Sequence, residues 1–88
     1  FGRMRLKYLK EHRRAAYINL KTSGQLMHHL NETDREANEM LRLVIEQMVR
    51  AQGITEQLKV EDQMAWVGAM NSIRSAAEET VENELIYI

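Results

Sequence analysis

The chain has 88 residues, no cysteine, no proline and a formal net charge of −1, which excludes disulfide stapling and thiolate metal sites. A chain of this size buries only roughly 60–65% of the surface its unfolded state exposes, so one small core must hold the fold, alone or through association. The missing cysteine fits a reducing compartment, no apolar run approaches the ~20 residues of a membrane span, and no signal-peptide pattern opens the sequence. A cytoplasmic location with no membrane contact is the expectation.

The first predicted helix runs from Gly2 to Lys21. Leu6, Leu9, Ala16, Tyr17 and Leu20 form one apolar face, and Met4, Tyr8, Ala15 and Ile18 form a second, nearly opposite. Between them Arg3, Lys7, Lys10, Arg14 and Lys21 fall within roughly 60° of arc on an ideal helix. Two apolar faces require two neighbours. Either the rest of the chain covers both, or Met4, Tyr8 and Ile18 form an interface to a second copy or to another partner.

The second predicted helix spans residues 23–52. Thr22 and Gln25 have capping-box spacing at its start, and Gly53 is a typical residue just past a helix end. Asn31-Glu32-Thr33-Asp34 offers a second capping sequence, where the helix is expected either to break or to run through. Leu26, Leu30, Ala37, Leu41, Val44 and Met48 share one narrow face, with the four-three-four spacing of a packed seam from Ala37 onward.

The third predicted helix, residues 55–87, opens on Thr55 as N-cap and is expected to pause near Lys59-Val60. Trp66, Val67, Met70, Ile73, Ala77, Val81 and Leu85 make its apolar face, with Trp66 expected to be largely buried against the second helix. Glu61, Glu78, Glu79 and Glu82 lie mostly off that face. Period-two alternation is absent, so no strand is predicted. The fold expected is all-α: one domain over residues 1–88, a small bundle of three main helices with short loops.

No cluster of catalytic groups is evident. Ser23, Ser72 and Ser75 lack a nucleophile-elbow context, and the four scattered glycines form no phosphate-binding loop. His28 and Glu32 share a helix face as two potential metal ligands, but a site needs three or four, so neither a metal nor a cofactor is expected. Glu78-Glu79 reads as a solvated pair.

Charge is distributed unevenly. Residues 1–21 carry seven Lys/Arg against one acid, and residues 55–88 carry two against seven acids. A basic stripe can neutralise phosphates. It can instead pair with the chain's own acids, or meet an acidic protein partner.

Three segments carry a resemblance: YLKEHRRAAYINLKTSGQL from Tyr8, AQGITEQLKVEDQMAWVGAMNSIR from Ala51 and AEETVENELIY from Ala77. Together they resemble the TnpV family of transposon-encoded proteins, most specifically at Asp62-Gln63-Met64-Ala65-Trp66-Val67 leading into Met70-Asn71-Ser72-Ile73-Arg74. The resemblance implies a small accessory factor encoded beside a recombinase, similar in role to an excisionase, that binds DNA or the recombinase. It transfers no binding or catalytic residue. Family members commonly extend further before the position of Gly2, so the chain is expected to be a fragment lacking an N-terminal segment, and Ala16 stands where a larger apolar residue is common.

These readings converge on a non-enzymatic accessory protein that assists or regulates excision or transposition. It is expected to bind DNA through Arg3, Lys7, Lys10, Arg14 and Lys21. The alternative is an interaction module that docks on the element's recombinase or inhibits a host-defence protein. A homodimer is compatible with either.

Overall fold

The computed structural model describes residues 1–88. Five α-helices follow in order, α1 (Gly2–His12), α2 (Arg14–Thr22), α3 (Leu26–Gln52), α4 (Glu56–Glu61) and α5 (Gln63–Val81), and a π-helical turn over Glu82–Ile86 completes the chain. There is no strand, and the fold is all-α as expected.

The first predicted helix is in fact two. Arg13 leaves helical geometry (φ −135°, ψ 56°) between α1 and α2. The cause lies in the side chains around it. Every residue from Lys10 to Ala16 is exposed, so no buried side chain holds a straight helix there. Lys10 also sits three and four positions before Arg13 and Arg14, spacings at which like charges disfavour helix continuation.

α2 ends in a left-handed glycine. Gly24 has φ +74°, its N–H bonds the Lys21 carbonyl, and the Gln25 N–H reaches back to Leu20 O at 2.9 Å, the paired bonds of a Schellman cap. Thr22 therefore closes the preceding helix and does not open the next one. Its hydroxyl donates to Ile18 O at 2.9 Å, and α3 begins without a side-chain cap. Gly53 (φ +65°) ends α3 with the same pair of bonds, from Gly53 to Arg50 O and from Ile54 to Val49 O.

α3 runs through Asn31-Glu32-Thr33-Asp34 unbroken. Leu30, Thr33 and Ala37 are all buried on its inner side, and this burial outweighs the capping tendency of the four polar residues. On the outer side Glu32 accepts from Arg35 at 3.0 Å. Thr55 caps α4 as expected, accepting from Leu58 N at 3.2 Å. The pause in the third predicted helix falls at Asp62 instead of Lys59-Val60, because Asp62 accepts from Ala65 N and caps α5.

α5 packs antiparallel along α3, and α1 and the π-turn lie against the same end of that pair. Ala37, Val81 and Ile86 form the centre of the core, with Phe1, Met4, Met40, Leu41 and Leu85 around them. Leu9, Leu30, Ile73 and Ala77 are buried nearby. The molecule is long and thin, 55 × 19 × 17 Å. No residue from Asn38 to Ser72 is fully buried, so its far end is a two-helix hairpin with a single seam. Trp66 lies in that hairpin and is only half-buried, with Lys59 Nζ 4.7 Å above its ring.

Candidate nucleic-acid interface

Arg3, Lys7, Lys10, Arg14 and Lys21 are all exposed. None of them takes part in an ion pair. The acids that might have covered them do not pair with them: Glu78 pairs with Arg74 at 3.5 Å, and Glu79, Glu82 and Glu84 form no ion pair. Charge pairing among the side chains is local, between neighbours such as Arg42 with Glu39 and Glu46, each at 2.9 Å, and the one distant pair joins the Phe1 ammonium to Asp34 at 3.1 Å. The basic stripe thus forms no ion pair within the fold.

The break at Arg13 divides the stripe. Arg3, Lys7 and Lys10 lie along α1 over about 10 Å of helix rise, and Arg14 and Lys21 lie on α2. Tyr17 joins the two sets. Lys10 Nζ sits 5.7 Å and Lys21 Nζ 5.9 Å from the centre of its ring, within cation–π range. Two ammonium groups eleven positions apart are therefore held about one half-buried aromatic ring. A kinked helix with five unpaired cations can meet several phosphates along a curved backbone, each cation as a point contact that does not read sequence.

Arg5 is the cation of α1 that the ridge does not include, and no sequence pattern singled it out. It turns inward. One guanidinium nitrogen, Nη1, donates to Ile86 O at 2.8 Å and to Ile88 O at 3.0 Å, and Nε donates to His29 Nε2 at 3.2 Å. The end of the chain is thereby tied across α1 to α3. Burial lowers the Arg5 pKa below its usual range, yet a guanidinium stays protonated at neutral pH. Burial, followed by the nearby Arg5 charge, lowers the His29 pKa, which keeps the imidazole neutral and its Nε2 free to accept.

The three residues considered as an interface have different surroundings. Met4 packs against the Ala37–Val81–Ile86 core of its own chain. Tyr8 lies 5.6 Å from the Tyr87 ring and 5.1 Å from His12. Ile18, 46% exposed, remains open to solvent. No group of three or more His, Cys, Asp or Glu side chains converges as a metal site, and Glu32, beside His28, is engaged by Arg35, whose hydrogen bond lowers its pKa. No helix is long and apolar enough to cross a membrane.

Comparison with known proteins places the chain. The family model of the transposon-encoded protein TnpV matches residues 1–86. The chain belongs to the TnpV family. It is a transposon-associated protein, and the match includes α1, α2 and the whole ridge. No curated protein matches the sequence, and no solved structure matches the fold.

Proposed function

We propose that this TnpV protein is a non-enzymatic accessory factor of its mobile element, acting in the cytoplasm, which assists or regulates excision or transposition by gripping DNA backbone with Arg3, Lys7, Lys10, Arg14 and Lys21. The observation that carries this reading is the absence of any ion pair for these five cations in a chain that is otherwise well supplied with acids. Duplex DNA offers a dense row of negative charge, and each cation laid on a phosphate releases a condensed counterion. Affinity then comes without sequence reading, which suits a factor whose target is specified by a recombinase.

The test is a mobility-shift series over a range of salt concentrations. Replacing Lys10 and Arg14 together by alanine weakens binding to every duplex tested and flattens the salt slope by about two units. It leaves the melting temperature nearly unchanged, since exposed charges contribute little to folding. Binding that is insensitive to both substitutions contradicts the reading.

One observation favours a second reading, a protein-interaction module. Met64 and Val67, one turn apart on α5, and Val60 on α4 are 80%, 37% and 86% exposed. Exposed apolar side chains of this kind suit the recombinase or a host-defence protein as partner, and retention of the recombinase on this chain, lost in Val60→Ser/Met64→Ser, distinguishes this reading from DNA binding.

A further inference from the structure

Beside the ridge, α1 and the end of the chain enclose a half-open groove of about 470 Å³ lined by Met4, Lys7, Tyr8, Glu11, His12 and Tyr87. Three of these six carry aromatic rings, and the Tyr8 ring contacts the other two. Tyr8 sits between His12, at 5.1 Å and 35°, and Tyr87, at 5.6 Å and 53°. The arrangement is tertiary, since Tyr87 reaches Tyr8 only because the π-turn and the Arg5 clamp bring the end of the chain back onto α1. Tyr87 remains 44% exposed. Its hydroxyl makes no hydrogen bond, while its backbone N–H donates to Glu82 O at 2.9 Å.

Lys7 belongs to both features, lining the groove and standing in the basic ridge. A chain whose phosphates follow the ridge would therefore bring whatever hangs from its sugars to the mouth of the aromatic groove. In duplex DNA the bases are paired and stacked out of reach. In a single strand they are free, and an aromatic ring beside a positive track is the arrangement that binds them without regard to sequence. Glu11 at the rim repels phosphate, which keeps the backbone on the Lys7 side, and its carboxylate can accept from the N–H groups on a base edge.

We propose that this groove takes an unpaired nucleobase, so that the chain binds single-stranded DNA in preference to duplex, with the base stacked on Tyr87 and Tyr8 and its phosphate on Lys7. The proposal rests on the ridge as a DNA-backbone contact and specifies the strand state it meets.

The experiment is fluorescence anisotropy with a short labelled DNA single strand and with the duplex of the same sequence, on the full chain. The expected results are tighter binding of the single strand, a loss of about tenfold or more for it in Tyr87→Ala, and recovery in Tyr87→Phe, which restores the ring without the hydroxyl. Duplex affinity stays within about twofold in both variants, because the backbone contacts are kept. Circular dichroism melting of Tyr87→Ala confirms that the fold persists. Duplex binding that depends on Lys10 and Arg14, with single-strand binding unmoved by Tyr87→Ala, overturns the groove and leaves the ridge intact. Equal loss for both DNAs in Tyr87→Ala, or failure of Tyr87→Phe to recover, also overturns it. Absence of binding to either DNA overturns the ridge and the groove together.

Discussion

The two ends of this 55 Å molecule are built differently from the same kind of helix. At one end α1, the first half of α3, the end of α5 and the π-turn meet on several sides, and all eight fully buried residues lie there. At the other end the second half of α3 pairs with the start of α5 along one seam, α4 lies against α5 alone, and nothing is fully buried. The ridge and the aromatic groove are both mounted on the first end. A basic helix with little apolar surface of its own is presented rigidly only where other elements hold it. The difference teaches that stability and the candidate site share one half of the chain, while the hairpin can vary or bind separately.

Truncating side chains at the two ends gives the strongest way to break that comparison. Ile73→Ala, at 1% exposure, is expected to cost about 2–5 kcal/mol, much of the stability of so small a domain. Met64→Ala, at 80% exposure, should stay within about 0.5 kcal/mol. Urea unfolding of both variants checks it, and equal losses would show that the two ends are equally packed.

Arg5→Ala comes next, at about 2 kcal/mol, because it removes two charge-assisted bonds to backbone carbonyls and leaves Ile86 O without its partner. Hydrogen exchange should show the π-turn losing protection before α3 does. Trp66→Ala should cost about 1–2 kcal/mol, less than the 3–5 typical of a fully buried aromatic, since the ring is half open and covered in part by Lys59. A larger loss would mean that the hairpin is packed more tightly than its exposure indicates.

The smallest effect is a pH dependence. His29 has a folded pKa lowered below its ordinary value, first by burial and then by Arg5. The unfolded chain then takes up this proton before the folded one does. The stability due to the neutral imidazole is fully present above about pH 6.5 and is lost as the pH falls from there through the lowered folded value. His29→Gln should flatten that part of the stability–pH curve relative to the parent chain, and identical curves for the two would remove the Arg5–His29 bond from the account.

What the sequence disclosed and what it withheld follow from how local each feature is. The α3 seam was legible because Leu26, Leu30, Ala37, Leu41, Val44 and Met48 repeat at helical spacing, and none of them is fully exposed in the fold. Thr55 and Gly53 were legible because caps act within a few residues. Gly24 was not: a glycine between two helices can serve the start of one or the end of the other, and here it closes α2. The kink at Arg13 was hidden because it lies in a stretch, Lys10–Ala16, that the fold leaves unburied, which periodicity does not report. The five ridge residues were read as one line on a straight helix. The structure keeps them exposed but joins the two halves through Tyr17, a role that no spacing announces. Arg5 and the Tyr8–Tyr87 contact depend on residues almost the whole chain apart, and a sequence pattern has no means of bringing those together.

The central claim is that the ridge is a phosphate-binding surface, and the salt dependence of duplex DNA affinity tests it most directly. Five cations each neutralising one phosphate give a plot of log affinity against log salt with a slope of about −4 to −5. A slope near zero, or affinity too weak to measure at low salt, would contradict the claim.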